Sequence, residues 1–279
     1  MRERYHRTAN ILGIRVSVIR VDRAVNISVD LMRKKGMSVI CFLSAEGSLL
    51  CQNDETAASY IQSCQLVLPG DRHIEMASHH HQETGTLPEG MGEFADNYLK
   101  RLFTKISKDK GSIYTIMEQE DHLNSLETYM DELYPNIEVR GSVLVEGTKE
   151  ESDKAVNQIN ACIPDIVFVC LSPEHQIQFM KNHAAMMNTG LCILVESIQP
   201  LIRKETEEVP GIFRAFRLEK LYAWFKREHK IRKTIVGSLF KKKVLDEGVE
   251  EKPEEKPEEK PDALDDRERN TTENKGDPS

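Results

Sequence analysis

Residues Ile166 to Leu171, I-V-F-V-C-L, form an unbroken apolar run that ends at Ser172-Pro173. A strand exposed on one face alternates apolar and polar residues. A run without alternation suits a strand covered on both faces, the signature of a parallel sheet between helical layers. At that point the run gives way to a helix-like segment. In open α/β sheets ligands bind where such strands end, at the mouth of the loop into the next helix. The peptide Ser172-Pro173-Glu174-His175-Gln176 is therefore expected to border a site.

The rest of the chain repeats the alternation. Ile11 to Ile19 is predicted as a first strand, and Asp22 is placed to cap a helix ending near Gly36. Met37 to Leu43 is predicted as a strand, Glu46 to Ser63 as mostly helical, and Gln65 to Leu68 as a short strand broken at Pro69-Gly70-Asp71. Ser78 to Met91, with His79, His80, His81 and two glycines, is expected to be a loop. Glu93 to Ser107 has an apolar stripe of helical spacing. Strands follow at Ser112 to Met117, Ile137 to Val145, Ile166 to Leu171 and Leu191 to Val195. Helices are expected between them at Gln119 to Leu133, Lys149 to Asn160 and up to about Asn188. Strands alternating with helices of this length predict an α/β fold with a Rossmann-like parallel sheet and flanking helices.

Charge divides the chain. Asp246 to Ser279 holds 14 acidic and 6 basic residues, and Ile212 to Lys243 holds 11 basic residues against Glu219 and Glu228. Three parts are expected: an α/β domain over 1–210, a basic amphipathic helical appendage over 211–245, and an acidic tail over 246–279. The tail repeats E-E-K-P three times from Glu250 and has too few apolar residues to offset chain entropy. In the appendage, Leu218, Leu221, Tyr222 and Phe225 share a helical face beside Arg214, Arg217, Trp224, Lys226, Arg227, Lys230, Arg232 and Lys233. Aromatic and basic residues together suit an anionic membrane surface; docking on the domain's own core is the bland alternative. Nucleic acid is disfavoured because the body is acidic.

No apolar stretch reaches the ~18 residues of a spanning helix, and no apolar segment follows the opening Met-Arg-Glu-Arg. A cytoplasmic chain, peripherally associated with the inner face of the cell membrane, is expected. The six cysteines lack any C-x-x-C pair and read as buried free thiols in a reducing compartment. G-x-G-x-x-G and G-x-x-x-x-G-K-[ST] are absent, which disfavours nicotinamide dehydrogenases and P-loop NTPases. The histidines near residue 80 have no ligand spacing that favours metal over a polar loop. Asp71, just after a strand, is placed either to take a proton from a sugar hydroxyl or to cap the next helix.

Taken in order, I-L-G-I-R-V, V-I-C-F-L-S-A-E, L-V-L-P-G-D, L-Y-P-N-I-E-V, I-N-A-C-I-P-D-I-V-F-V-C-L and R-L-E-K-L-Y-A-W-F-K-R-E resemble the WecG/TagA/CpsF glycosyltransferases over roughly residues 9 to 243. The resemblance implies a metal-independent inverting enzyme without cofactor. It implies transfer of an N-acetylmannosamine-type or related sugar from a UDP-sugar donor to a lipid-linked glycan acceptor, with the basic appendage at the membrane and a possible homo-oligomer. It casts Asp71 as the base, with Ser44, Pro173, His175 and Gln176 as substrate contacts. The chain departs from the family pattern at the same places. Phe42-Leu43-Ser44 stands for T-x-N, Pro69-Gly70-Asp71 for P-D-G, Glu89-Gly90 for Glu-Arg, and Pro173-Glu174-His175-Gln176 for P-K-Q-E. Two readings therefore stay open: a transferase with altered site residues, or a catalytically impaired homologue that binds a nucleotide-sugar or lipid-linked sugar, or serves as a scaffold.

Overall fold

The computed structural model describes residues 7–79, 93–118, 120–145, 148–196, 235–245 and 249–252. Six parallel strands form the main sheet: β3 (Ser38–Leu43), β4 (Leu66–Pro69), β5 (Ser112–Met117), β6 (Glu138–Leu144), β7 (Ile166–Cys170) and β8 (Leu191–Leu194). Their spatial order is β4-β3-β8-β7-β5-β6. The apolar run is β7, and it lies inside the sheet between β5 and β8. Its side chains go alternately to two cores. Val167 and Val169 face one, Ile166, Phe168 and Cys170 the other, and all five are buried.

The first core is closed by α2 (Ala45–Asn53), α3 (Glu55–Ser63), α4 (Arg72–His79), α7 (Lys149–Cys162) and α8 (Pro173–His183). The second is closed by α1 (Val21–Met32), α5 (Phe94–Asp109) and α6 (Glu120–Leu133). Phe103 of α5 meets Phe168 at 5.5 Å between ring centres, joining a helix stripe to the central strand. A Rossmann-like α/β sheet with flanking helices is what the chain forms.

Local chemistry overrides several expectations. Ile11 to Ile19 is not one strand of the main sheet. It is a hairpin, β1 (Arg7–Ile11) and β2 (Ile14–Val18), turning at Leu12 and Gly13, both at positive φ. A two-residue hairpin needs that geometry, and a leucine rarely adopts it, so the turn was hidden. Glu46 to Ser63 breaks into two helices because Asp54 stops α2 and caps α3 through Thr56 N and Ala57 N. Those bonds, the Thr56 hydroxyl first, hold its carboxyl below the usual range. Asp22 does not cap α1: Arg20 holds that position, and Asp22 pairs with Arg101 on α5. His79 belongs to the last turn of α4 rather than to a loop, while His80 and His81 lie outside the described residues.

At the C-terminal side, residues 235–245 form a helix, here α9. Phe240 is 2% exposed and joins the first core, with Val236 and Val244 packed beside it. Its ring lies 6.2 Å from that of His73 on α4, and Lys243 Nζ donates to Gln52 Oε1. This part of the appendage is docked on the domain. The strand β9 (Val249–Lys252) then pairs antiparallel with β1, Ile11 opposite Val249 and Thr8 opposite Lys252. Those four residues at the start of the acidic tail are thus a strand of the hairpin's sheet. Strand pairing uses backbone groups and needs no apolar side chain, so composition alone misses it. The rest of the tail, and Arg214, Arg217, Trp224, Lys226, Arg227, Lys230, Arg232 and Lys233, lie outside the described residues.

All six cysteines are free thiols, and only Cys162 is more than marginally exposed. Burial pushes Cys51 and Cys170 up to about 12. Since the thiolate is the reactive form, native protein at pH 8 is expected to alkylate first at Cys162. Mass spectrometry after a short iodoacetamide pulse checks this; fast labelling of Cys170 would contradict the packing of β7.

Candidate functional site at the carboxyl edge of the sheet

Because the six strands are parallel, their carboxyl ends open on one edge. Ser44 follows β3, Gly70 and Asp71 follow β4, Glu118 follows β5, and Ser172 follows β7. Ser44 is buried at the start of α2, where its Oγ accepts from Gly47 N at 2.9 Å. A Cβ placed on Gly47 would lie 3.7 Å from Pro173 Cβ. The first turn of α2 therefore rests against the first turn of α8. Two helix N-termini, each with donor groups and a partial positive charge, meet at this edge.

The Pro69-Gly70-Asp71 turn packs tightly. Gly70 N donates to Leu43 O at 2.8 Å, and a Cβ at residue 70 would fall 2.9 Å from the backbone of Phe42 and Leu43. Only glycine lets β4 leave the sheet so close to β3. The turn then sends the Asp71 carboxylate back toward α2. Its Oδ2 accepts from Ala45 N at 2.7 Å, and its Oδ1 accepts from His73 N and Ile74 N, each at 2.9 Å. Asp71 thus caps α4 and ties down the start of α2, while its side chain stays 32% exposed.

Across the edge lies a cluster that sequence reasoning missed. Glu118 Oε1 accepts from Ser172 N at 3.1 Å, from Ser172 Oγ at 2.9 Å and from His175 Nδ1 at 2.6 Å. The register that sets Met117 beside Cys170 brings Glu118 level with the β7 exit. Ser172 spends its hydroxyl on Glu118 and does not cap α8. The Glu118 and His175 side chains are 27% and 44% exposed, so the pair is held by the fold yet open to solvent. The available signal was a single carboxylate directly after six buried strand residues, level with Leu171 at the β7 exit.

Of the residues singled out from sequence, His175 faces this edge with a polar atom to spare. Gln176 does not: it is buried, and its Nε2 donates to Val169 O at 3.2 Å. Pro173 is buried at the junction with α2. Ser172 does not donate to the imidazole, as a serine nucleophile activated by histidine would. Among the described residues no group of three or more His, Cys, Asp or Glu side chains is placed to hold a metal ion.

A doubly covered parallel sheet, with helix N-termini and an acid–histidine pair at its carboxyl edge, places the chain in the Rossmann-like α/β class. The chain belongs to the WecG/TagA/CpsF glycosyl transferase family, whose model matches residues 9–252. The match runs from β1 through β9, so it takes in the hairpin and the docked helix α9 as well as the main sheet. No curated protein matches the sequence.

Proposed function

We propose that the chain transfers an N-acetylhexosamine-type sugar from a UDP-sugar to a lipid-diphosphate-linked or other glycan acceptor in cell-surface polysaccharide biosynthesis. The observation that supports this reading best is the meeting of the α2 and α8 N-termini at the edge that also carries Glu118 and His175, in a chain of this transferase family. Helix N-termini suit a diphosphate, and an inverting transfer needs a nearby group to receive the acceptor's proton. Asp71 shapes the site in this reading: its carboxylate fastens the β3 and β4 exits to one another.

The acceptor's lipid places the reaction at a membrane surface. No helix among the described residues is long and apolar enough to cross a membrane. On α9, however, Ile235, Leu239 and Leu245 are exposed alongside Lys241 and Lys242, opposite the buried Phe240. Apolar and cationic groups on one outward face suit an anionic bilayer surface, and the basic residues from Arg214 to Lys233 extend the same chemistry.

A second reading, a family member that binds the nucleotide-sugar without turnover, draws support from Asp71 and Gln176. Asp71, which the resemblance casts as the base, and Gln176, which it casts as a substrate contact, are both engaged with backbone groups. Either reading requires a donor site. Titration calorimetry with UDP is expected to show one site per chain, with ADP weaker; absence of UDP binding would sink both.

A further inference from the structure

Glu118 and His175 form the one acid–histidine pair that the described strand-end loops bring together across two strands. A carboxylate can only accept, so the 2.6 Å contact places the imidazole proton on Nδ1. Nε2 then carries a lone pair, and no described residue bonds to it. The Glu118 oxygen is itself fixed by the Ser172 amide and hydroxyl, and the histidine sits in the first turn of α8. Carboxylate, oriented imidazole and exposed Nε2 make the arrangement of a general base with a positioning partner.

We infer that His175 Nε2 is the proton acceptor of the sugar transfer and that Glu118 is the residue that positions it. This rests on the transferase reading above and gives that site its acid–base group. In the step, the acceptor O–H yields its proton to Nε2 as the acceptor oxygen bonds to the anomeric carbon. The bond from that carbon to the β-phosphate oxygen breaks, its electron pair leaving with UDP. The imidazolium that forms is stabilised by Glu118 and later gives its proton to water. Besides Arg72 at the start of α4 and Lys149 at the start of α7, the strand-end loops and first turns carry the acidic side chains of Glu46, Asp71, Glu174 and Glu196. These acids favour a transient imidazolium over a second anion. Asp71, with three backbone donors on its oxygens, is a cap in this scheme.

The test measures UDP release by the full chain from UDP-N-acetylmannosamine, UDP-N-acetylglucosamine and UDP-N-acetylgalactosamine with a lipid-diphosphate-linked N-acetylhexosamine, across pH 5 to 9. His175→Asn is expected to lower kcat by about 10²–10⁴-fold with little change in KM for the donor. Glu118→Gln should lower kcat less and displace the acid limb of the pH profile, and Glu118→Asp should recover part of the loss. A His175→Asn enzyme within threefold of wild-type kcat overturns the assignment and leaves the transferase reading standing. Wild-type protein that releases no UDP with any donor overturns both. Nitrogen-15 NMR supplies a readout independent of turnover. It should show His175 protonated on Nδ1 and bare at Nε2 at pH 8; the opposite tautomer would also refute the assignment.

Discussion

Gly70→Ala is expected to destabilise the protein by about 3 kcal/mol, the upper range for forcing a methyl group into a packed position. The obstruction is backbone: the added Cβ would sit 2.9 Å from Leu43 O and from Phe42 C and O, and strands locked in a sheet do not move aside as a side-chain tip does. Either β4 separates from β3 or the turn rearranges and withdraws Asp71 from Ala45 N. For a domain of this size the melting temperature should fall by roughly 6–12 °C. Gly47→Ala is the matched control. Its Cβ would meet only side-chain atoms, at 3.4 Å and beyond, and alanine is the better helix former, so stability should change by less than about 1 kcal/mol. Equal losses at the two positions would contradict the geometry of the turn.

The second large effect lies on α9. Phe240→Ala should cost about 3–5 kcal/mol, the range for a buried phenylalanine, because the ring is 2% exposed in the first core and abuts His73. Gly237 is part of the same contact: a Cβ there would fall 2.5 Å from His73 Nε2. Leu239, one residue away and 53% exposed, should behave oppositely. Leu239→Ser, combined with Leu245→Ser at a site 78% exposed, should leave urea unfolding within about 0.5 kcal/mol. The same double variant should reduce cosedimentation with phosphatidylglycerol vesicles several-fold. Vesicle binding unaffected by that double change would remove α9 from the membrane surface. Unfolding equally sensitive to Leu239 and Phe240 would mean the helix is docked the other way round.

The main sheet was legible because its evidence is repeated. An apolar run that must be covered on both faces implies helical layers, and each later strand and helix has the same pattern. The hairpin at Leu12-Gly13 was not legible: it depends on a leucine at positive φ, which no local preference announces. The pairing of Val249–Lys252 with β1 was hidden for a different reason, since it uses only backbone groups in a segment whose side chains argue against structure. At the strand edge, the sequence singles out His175 but not the carboxylate beside it. Glu118 lies 57 residues away, and only the parallel register of β5 with β7 makes them neighbours. Gln176 has a different setting. It is adjacent to His175 in the chain, yet one position along a helix turns its side chain into the protein, where it satisfies Val169 O.

Family membership and the strand-end geometry lead to one claim, that sugar leaves UDP at the edge carrying Glu118 and His175. Acceptor-dependent UDP release by the full chain, measured on membranes or vesicles that supply a lipid-diphosphate-linked N-acetylhexosamine, tests it most directly. Release with at least one UDP-N-acetylhexosamine, dependent on the acceptor, is expected. Saturable UDP-sugar binding with no release above the acceptor-free rate across the whole panel would contradict it, and would make the chain a binding member of a transferase family.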